Sequence, residues 1–457
     1  MQAAQQETVL TRIVRDKKIW LEERRQKQPL ASFQDKIVLS DRSFYQALTS
    51  NNAVFILECK KASPSKGLIR KDFDPRAIAE SYRHFASAIS VLTDEKYFQG
   101  NYEFLTQVSN QVPQPVLCKD FIIDAYQIYL ARFYGAHAVL LMLSVLDDAQ
   151  YIALAEVAHS LNMGVLTETS NQSELDRAIK LQARVVGINN RDLRDLSIDL
   201  NRTRTLAPQL PESTIVISES GIHNNQQIRE LRQYVNGFLI GSALMSEDSL
   251  DLAVRRVILG ANKVCGLTRP EDALAAYQAG AVYGGVIFAG KSPRYVDLDQ
   301  AQKVVAAAPL KWVGVFRNAE PETISIIAAH LGLSAVQLHG NEDAVYIAKL
   351  RALLPQSCQI WRAESIKDAP PEMNDSNVDY YLLDNGAGGT GQAFNWQLLQ
   401  GQKLDNVILA GGLNPMNTAE AAQFGCYGLD FNSGVESQIG KKDVNKIKTV
   451  FSILRDY

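Results

Sequence analysis

Cysteine is scarce in this chain and is scattered along it. The 457 residues contain five cysteines, none of them in a CxxC pair or a Cys/His cluster. This pattern argues against a disulfide framework and a structural zinc site, because both need cysteines at short, regular spacings. It favours reduced thiols in a cytosolic protein, and we expect no metal site. Cys59, Cys118 and Cys426 are interpreted as small core residues.

Long apolar runs and an excess of positive charge are also missing. The longest apolar stretch, Ala138–Leu146, has nine residues including a serine, whereas a membrane helix needs about 20. Met1–Lys18 lacks the apolar core of a signal peptide. The net charge of −3 argues against a nucleic-acid binder, which usually has a basic face. These absences predict a soluble cytoplasmic protein with neither a membrane nor a nucleic acid as its partner.

Short apolar runs, in contrast, are regularly spaced, and 46% of the residues are hydrophobic. They form two consecutive sets of eight, and helical patterns separate them, which is typical of parallel strands with crossover helices. Eight such units make one (β/α)8 TIM barrel, so we predict an α/β fold of two tandem TIM barrels. The first set is Ala53–Lys60, Ala88–Leu92, Pro115–Lys119, Ala138–Leu143, Gly164–Glu168, Val185–Asn189, Thr214–Glu219 and Gly237–Gly241. The second set is Lys263–Gly266, Gly284–Phe288, Lys311–Phe316, Ala335–His339, Gln359–Arg362, Tyr380–Asp384, Asn406–Gly411 and Gly428–Phe431.

Helical patterns also predict the ends of the two domains. Residues 8–28 carry a stripe from Leu10 to Leu21 that includes Lys17, which predicts an N-terminal helical extension able to cap one end of the first barrel. Gly260 looks like the stop of the last helix of the first half. We therefore predict domains of residues 1–260 and 261–457, joined without a flexible linker.

Polar residues stand at the downstream ends of the first eight runs. The loops after the strands of a TIM barrel build its active site, so these side chains are expected to meet at one mouth. The candidates are Glu58, Lys60, Lys119, Glu168, Asn189, Arg191, Glu219 and Ser220, with Ser63 in the polar loop after the first strand.

The spacing of Glu58 and Lys60 favours catalysis. Residues two apart on a strand face the same side, and an inward carboxylate and amine are costly to bury without a purpose. A structural ion pair is the alternative. Lys60 and Lys119 at one mouth should lower the pKa of at least one of them, which suits a general acid near neutral pH.

Glycines follow the seventh and eighth runs of both halves. Loops at these places commonly bind phosphate through backbone N–H groups and a helix N-terminus. The alternative is that the glycines only make tight turns, but their occurrence in both halves favours two phosphate sites. The residues are Ser220, Gly221, Gly241 and Ser242 in the first half and Gly411, Gly412, Ser433 and Gly434 in the second.

The second half carries a different set of reactive residues. Cys265 ends its first run and Asp384 its sixth. A thiol near a cation or a helix N-terminus can ionise and act as a base. Arg294 is suited to hold a carboxylate through two parallel hydrogen bonds. His339 is either a ligand contact or a buried structural histidine.

Two nucleotide-binding motifs are rejected. Gly285–Ser292 fits the P-loop pattern, but it begins as a strand, and Pro293 stands where the helix should start. Gly386–Gly391 fits GxGxxG, but no helix follows at once, and Gly411 stands where a ribose-binding acid belongs. We therefore expect no nucleotide cofactor, and we interpret Gly386–Gly391 as a mobile loop over the second site.

The ordered motifs resemble those of two enzyme families. In the first half, ECKKASPSKGL, LCKDF, TET, GINNRDL, SESGI and LIGSALM resemble indole-3-glycerol-phosphate synthase. In the second half, KVCGLTRPEDA, KSPRY, VGVFRN, VQLHG, LLDN, LAGGLNP and GLDFNSGVE resemble phosphoribosylanthranilate isomerase. The resemblance covers essentially the whole chain and implies a fusion of these two enzymes of tryptophan biosynthesis.

The resemblance also implies the chemistry of each half. The second half would perform an Amadori rearrangement of N-(5-phosphoribosyl)anthranilate, with Asp384 as the acid, Cys265 as the base and Arg294 on the anthranilate carboxylate. The first half would close the indole ring with loss of CO2 and water. There Lys119 would be the acid and Glu168 the second acid/base group.

Further binding roles follow from the same resemblance. Lys60 would orient the substrate, Glu58 and Asn189 would fix the site, and Phe98 and Phe121 would form a wall for the anthranilate ring. The division of roles among Lys60, Lys119 and Glu168 stays open. No cofactor is implied, and we expect a monomer that acts on small sugar phosphates.

Two positions depart from the families' patterns. His137 stands where an acidic residue is commoner, and Arg362 where a lysine often occurs; both put local packing or substrate contacts in doubt. The alternative function is a fused pair of other sugar-phosphate barrels, such as a Schiff-base aldolase that uses Lys119 or Lys60 and a phosphate-binding regulatory barrel.

Overall fold

The computed structural model describes residues 7–366, 369–385, 393 and 395–457. The chain divides into two compact units, one of residues up to 223 with 227–254 and the other of residues 224–226 with 255–457. Each unit contains eight parallel strands in a closed ring, with helices between them. The predicted fold of two tandem TIM barrels is confirmed. Across these described ranges, no helix is both long and apolar enough to cross a membrane.

The strands of the first barrel are buried on both faces. In a barrel, one face of each strand packs in the interior and the other packs against helices, so the strand is a continuous apolar run. The eight predicted runs are confirmed, with ends that differ by one residue at most. Strands β1–β8 are Val54–Cys59, Ala88–Leu92, Val116–Lys119, Ala138–Met142, Gly164–Thr169, Val185–Asn189, Ile215–Glu219 and Gly237–Ile240.

The helices of this part of the chain begin at residues that cap them. Asp124 and Asp147 each form a capping box, in which the aspartate and a glutamine three residues later exchange hydrogen bonds with each other's backbone. Helices α1–α12 are Val9–Lys27, Phe44–Ala47, Pro75–Tyr82, Glu95–Phe98, Glu103–Gln111, Ala125–Phe133, Asp148–Ser160, Gln172–Lys180, Asn201–Leu206, Asn225–Leu231, Ser242–Met245 and Leu250–Leu259.

The second barrel repeats the arrangement with shorter strands. Its strands β9–β16 are Lys263–Val264, Tyr283–Ile287, Lys311–Phe316, Ala335–Leu338, Gln359–Ser365, Tyr380–Asp384, Val407–Leu409 and Gly428–Phe431. Helices α13–α18 are Pro270–Ala279, Leu298–Ala306, Pro321–Leu331, Ala344–Leu353, Thr418–Ala422 and Val444–Arg455. The P-loop was correctly rejected, because a strand occupies the start of that motif and the next helix begins only at Leu298. The segment Gly386–Gly391 lies outside the described residues.

Some predicted bounds in this barrel are wrong. β15 ends two residues early, because Gly411 and Gly412 have φ of +87° and +67° and leave the extended region. β13 continues to Ser365, which pairs with Asp384 of the neighbouring strand. Cys426, predicted to be a small core residue, is only half-buried and lies before β16.

Short irregular elements complete both barrels. Two small antiparallel hairpins pair Ala62–Ser63 with Gly67–Leu68 and Glu436–Gln438 with Lys441–Lys442. The 3-10 turns are Leu30–Ser32, Gln34–Lys36, Ala207–Gln209, Trp396–Leu399 and Ser433–Val435.

Helix α1 caps the downstream end of the first barrel. Leu10 and Ile13 belong to the apolar cluster that fills the barrel. The ammonium of Lys17 lies 2.6 Å from Asp94 Oδ2 and 2.8 Å from Asp120 Oδ1. Because these aspartates follow β2 and β3, α1 covers the mouth of the barrel.

The Lys17 ion triad is buried, with 3% of Lys17 exposed. Removing one partner of a buried pair leaves an uncompensated charge, which typically costs about 3–5 kcal/mol. Lys17→Met should therefore lower the unfolding temperature of the first barrel in calorimetry of the full chain. Lys18→Met, at the neighbouring exposed position, should leave it nearly unchanged, and equal effects of the two substitutions would contradict a structural role of the triad.

Candidate active sites

In the first barrel the predicted polar residues meet at the mouth. Glu58 lies in β1, Lys119 ends β3, Glu168 lies in β5, and Asn189 and Glu219 end β6 and β7. The strands are parallel members of one closed ring, so these ends share one edge of it. All but Lys119 are buried, and Lys119 is half-buried. The sequence-based grouping is confirmed as a spatial cluster.

Glu58 joins the two lysines of this cluster. Its Oε1 lies 3.2 Å from Lys60 Nζ and its Oε2 lies 3.3 Å from Lys119 Nζ. Ser90 Oγ donates a hydrogen bond of 3.0 Å to Glu58 Oε2. Lys119 Nζ also lies 3.3 Å from Glu219 Oε2. Each lysine is therefore held in place by a buried carboxylate.

Glu168 is the carboxyl group best placed to keep a proton. Three carboxyl groups share two ammonium groups here, so the negative charge is in excess. Burial and the neighbouring Glu219 raise the pKa of Glu168 to about 8, although Lys119 opposes them. Despite its burial, Glu58 has its pKa lowered to about 2 by Lys119 and Lys60. Burial raises the pKa of Glu219 as well, so Glu168 and Glu219 form the pair of carboxyl groups that can hold a proton near neutral pH.

The expectation of a lowered pKa for at least one of the two lysines is met by Lys60 and not by Lys119. Burial lowers the pKa of Lys60, as predicted for one of the pair. The pKa of Lys119 is raised, because the attraction of Glu58 and Glu219 outweighs the effect of its burial. A lowered pKa was the reason for regarding the lysine pair as a source of a general acid, and for Lys119 that reason is wrong.

The loops after β7 and β8 come close to the charged cluster. Ser220 and Gly221 have φ of +67° and +80° in the left-handed region. A Cβ at Gly241 would lie 2.8 Å from Glu58 Oε1 and 3.1 Å from Lys60 Cε. Glycine is therefore needed at position 241 for this loop to approach the cluster.

Three further predicted residues lie around the cluster. Ser63 is buried in the first hairpin, where its Oγ accepts the N–H of Lys66 at 3.3 Å. The N–H of Arg191 donates to Asn189 Oδ1 at 3.0 Å. Ser242 is the first residue of α11, directly after the glycine of the second loop.

The two predicted aromatic residues form a pair. The ring centroids of Phe98 and Phe121 are 6.1 Å apart, with the planes tilted by 38°. Asp120 Oδ1 accepts the N–H of Phe121 at 2.7 Å, and Asp94 Oδ1 accepts the N–H of Tyr97 at 2.7 Å. These are the aspartates that bind the lysine of α1, so the N-terminal helix supports the backbone that carries the aromatic pair.

In the second barrel, Cys265 follows β9 directly and is 4% exposed. Lys263, two residues earlier, is fully buried, and its Nζ donates to Asp430 Oδ2 at 2.8 Å and to Gln337 Oε1 at 2.9 Å. A Cβ at Gly285 would lie 2.7 Å from Cys265 Sγ and 2.9 Å from Lys263 Cε. The thiol and the lysine therefore lie side by side over a glycine.

The thiol does not ionise readily in this surrounding. Burial raises the pKa of Cys265, and the Lys263 ammonium only partly opposes this effect. The cation that the prediction required is present, but Asp430 takes up much of its charge. Ionisation of Cys265 therefore stays a prediction, in which the Lys263 ammonium favours the thiolate and burial opposes it.

Arg294 makes the bidentate carboxylate contact that was predicted from its chemistry, but here with a carboxylate of the protein. Its Nε and Nη2 donate to Glu436 Oε1 and Oε2, each at 2.8 Å. Lys442 Nζ donates to Glu436 Oε1 at 2.9 Å. All three side chains are buried.

Asp384 and His339 lie at the ends of two strands that are separated by β13 in the ring. Asp384 ends β14 and is 9% exposed, and its Oδ1 accepts the N–H of Asn385 at 2.7 Å. His339 follows β12, with its Nδ1 3.4 Å from Gln337 Nε2. Burial lowers the pKa of His339, so its imidazole is neutral near pH 7.

The glycine loops of the second barrel pack on each other. Gly411 and Gly412 follow β15 with positive φ, and Ser433–Val435 forms a 3-10 turn after β16. A Cβ at Gly434 would collide with the carbonyl oxygen of Leu413. The two loops predicted to bind phosphate are therefore in contact.

Comparison with known proteins assigns both barrels. The model of the family described as indole-3-glycerol phosphate synthase matches residues 10–257, and that of N-(5'phosphoribosyl)anthranilate isomerase matches residues 262–452. The tryptophan biosynthesis protein TrpCF of Yersinia pestis is 66% identical over 98% of this chain and 95% of its own length. The TrpCF protein of Salmonella typhi is 63% identical over 99% of this chain and 100% of its own length. The chain belongs to the family of bifunctional TrpCF proteins.

The first unit is thus the synthase barrel and the second the isomerase barrel. The family matches exclude the alternative function, an aldolase fused to a regulatory barrel. Among solved structures, the phosphoribosylanthranilate isomerase of Thermus thermophilus is 31% identical, with a TM-score of 0.38. The match covers 42% of this chain and 96% of the Thermus isomerase. The isomerase of Jonesia denitrificans is 30% identical, with a TM-score of 0.39, and covers 43% of this chain and 97% of that chain.

The two residues that depart from the families' patterns, His137 and Arg362, each contact a residue of their own barrel. His137 Nδ1 accepts the N–H of Val116 at 3.0 Å, and burial lowers its pKa to about 3. This histidine precedes β4 and so lies at the end of the synthase barrel opposite the mouth. In the isomerase barrel, Arg362 Nε lies 2.6 Å from Glu364 Oε1.

Sequence reasoning missed several residues around the two mouths. A signal was present for two of them, because Lys263 and Asp430 are charged residues within otherwise apolar strands. Glu436 and Lys442 have no such signal, since they lie in a hairpin that the strand pattern does not predict. The missed residues are Lys17, Ser90, Asp94, Asp120, Lys263, Gln337, Asp430, Glu436 and Lys442.

The raised pKa of Glu168 has a consequence for stability. Its pKa is about 8 in the folded protein against an ordinary value of 4.5. The stability linked to this proton is fully present below pH 4.5 and is lost as the pH rises through 8, by up to about 1.4 kcal/mol per pH unit. Between pH 6 and 9, calorimetry should show the synthase barrel losing more stability in the native protein than in Glu168→Gln. Glu212→Gln, at an exposed position, should follow the native protein, and parallel curves for all three proteins would contradict the assignment.

Proposed function

We propose that residues 1–260 form the synthase and residues 261–457 the isomerase, and that each catalyses its reaction at its own mouth. The observation that carries the proposal is that each mouth holds its own set of ionisable side chains beside its own glycine loop. Glu58, Lys119 and Glu168 belong to the first set, and Cys265 and Asp384 to the second. Two separate sets support two separate reactions.

The isomerase reaction is an Amadori rearrangement of N-(5-phosphoribosyl)anthranilate. Asp384 donates a proton to the ring oxygen of the ribose as the bond from C1 to that oxygen breaks, which leaves an iminium ion. Cys265 takes the proton from C2, and the resulting enolamine becomes the ketone, so no atom is gained or lost. Lys263 supports this role because its ammonium favours the thiolate form of the neighbouring cysteine.

The synthase closes the indole ring of the isomerase product. The ring carbon that bears the carboxylate attacks the ketone carbon while Lys119 protonates the ketone oxygen. Loss of CO2 restores the aromatic ring, and loss of water then gives indole-3-glycerol phosphate. Lys119 suits this role as a fixed ammonium that Glu58 and Glu219 aim into the mouth. Glu168 carries the second proton transfer, and its pKa of about 8 fits it to act as acid and base in turn.

Other residues of the synthase mouth bind and orient the substrate. Lys60 contacts the substrate, and Glu58 and Asn189 hold the acid–base groups in position. A cavity of about 80 Å3 is lined by Glu168 and Arg191. The anthranilate ring packs on Phe98 and Phe121, and the phosphate binds at Ser63, Ser220, Gly221, Gly241 and Ser242.

The isomerase mouth holds a substrate with an acidic group at each end. Arg294 binds the anthranilate carboxylate, and His339 contacts the ligand near Asp384. The phosphate binds at Gly411, Gly412, Ser433 and Gly434.

Both reactions proceed without a cofactor. We further propose that the protein is a cytoplasmic monomer with small-molecule substrates and no nucleic-acid or membrane partner, and its free thiols support this location.

Replacing the proposed base should silence one activity only. Cys265→Ala removes the group that accepts the C2 proton, so kcat of the isomerase should fall by about 100-fold or more. Indole-glycerol-phosphate formation from the isomerase product should persist, as fluorescence assays of the two reactions can show. Cys358→Ala, which alters another buried cysteine of the same barrel, should retain both activities. Loss of both activities in Cys265→Ala would contradict the two-site proposal.

The reciprocal experiment replaces the synthase acid. Lys119→Met keeps the length of the side chain but has no proton to give, so kcat of the synthase should fall by about 100-fold or more. The isomerase should be unaffected. Lys180→Met, at an exposed position, serves as the matched control. Retention of synthase activity in Lys119→Met would show that another residue of the cluster is the acid.

A further inference from the structure

The contact between Arg294 and Glu436 leaves the arginine with unused donors. A guanidinium carries five N–H groups, and Glu436 occupies one edge of it, formed by Nε and Nη2. Within the described ranges, no residue accepts a hydrogen bond from Nη1. Arg294 is nevertheless only 7% exposed, so its guanidinium cannot turn freely. The free edge is therefore held in one direction by the carboxylate on the opposite edge.

The network around Glu436 carries an excess of positive charge. Glu436 Oε1 accepts hydrogen bonds from Arg294 Nε, from Lys442 Nζ at 2.9 Å and from the N–H of Gly440 at 3.2 Å. One buried carboxylate thus faces the guanidinium of Arg294 and the amine of Lys442, whose pKa is lowered by burial and raised by Glu436. Buried charges are normally paired, so a network with one positive charge left over suits an anionic ligand.

Lys442 extends this network to the proposed phosphate loop. Its Nζ donates to Asn432 Oδ1 at 2.9 Å and to the carbonyl oxygen of Asn432 at 3.1 Å. Asn432 is the residue between β16 and the turn that begins at Ser433. The side chains of Arg294 and Asn432 also meet at Gly266, where an added Cβ would lie 2.7 Å from each. One set of contacts therefore connects the arginine, the start of the loop and the residue next to Cys265.

We propose that Glu436 and Lys442 are positioning residues of the isomerase barrel. Glu436 turns the free edge of Arg294 towards the carboxylate of the substrate, and Lys442 ties the same carboxylate of Glu436 to the phosphate loop. The two residues thereby set the distance between the carboxylate subsite and the phosphate subsite. They favour a substrate that carries these two anionic groups at that spacing. This inference rests on the proposed roles of Arg294 and the glycine loops.

Two inhibitors that differ in one group test the role of Glu436. One is reduced 1-(o-carboxyphenylamino)-1-deoxyribulose 5-phosphate, and the other is the same compound without its carboxyl group. In Glu436→Gln, the inhibition constant of the carboxylated compound for the isomerase should rise about tenfold, equivalent to ~1.4 kcal/mol. That of the second compound should change less than twofold, and kcat should stay within about threefold of the native value. Glu322→Gln, at an exposed position, should change neither constant.

The same assay separates failure of this inference from failure of the proposed function. Arg294→Gln should abolish the preference for the carboxylated compound, and an unchanged preference would overturn the role of Arg294 itself. If Arg294→Gln loses the preference while Glu436→Gln keeps it, the positioning role is overturned. Equal weakening of both compounds in Glu436→Gln would indicate a purely structural role and also overturn it. Should Glu436→Gln fail to fold, Glu436→Asp keeps the charge but shortens the reach, and it should show the same selective loss.

Lys442 is tested by its effect on the phosphate end. Lys442→Met should weaken both compounds by the same factor, and it should also weaken inhibition of the isomerase by inorganic phosphate. The double substitution of Glu436→Gln and Lys442→Met removes both partners of this ion pair. If Lys442→Met alone is unstable, the double variant still tests phosphate binding at the loop. Unchanged inhibition by phosphate in these variants would overturn the link between the two subsites.

Discussion

The buried and unequal charge at each mouth is the constraint on which the rest of this protein depends. In the synthase barrel, three carboxyl groups share two ammonium groups, so one carboxyl keeps a proton near neutral pH. In the isomerase barrel, two cations share the carboxylate of Glu436, so a positive charge is left for a ligand. Charges of this kind are tolerated in the interior only where neighbours hold them rigidly. The closed ring of strands provides that rigidity.

The two barrels arrange their buried charged side chains in the same way but use different residue types. In both, the first strand and the residue directly after it provide two ionisable side chains two residues apart. These are Glu58 and Lys60 in one barrel and Lys263 and Cys265 in the other. In both, a glycine beside these side chains leaves room for them, Gly241 in the synthase and Gly285 in the isomerase. Exchange of a few strand-end residues on a constant frame is how TIM barrels generally change their reaction.

The frame could be predicted from the sequence, because each strand is buried on both faces and so appears as an unbroken apolar run. The cluster around Glu58 could be predicted for the same reason, since parallel strand ends must meet. The pKa of Lys119 could not, because its direction depends on which of its neighbours lies nearer, two carboxylates or another lysine. Glu436 and Lys442 were missed because their hairpin follows neither the strand nor the helix period. The sequence predicts that Lys17 lies on the buried side of α1. It does not predict the aspartate partners of Lys17, because they lie far along the chain.

That separation along the chain affects the order in which the protein can be completed on the ribosome. Helix α1 is made before the strands that it covers, and Asp120 after β3, which anchors it, is made about a hundred residues later. At ~5–20 residues per second, α1 waits on the order of 5–20 seconds for this partner. Until then the lysine stays in water, where its charge costs nothing. The mouth of the synthase barrel is therefore covered by a helix that is made before the strands beneath it, and the cover is completed only after β3 has been made.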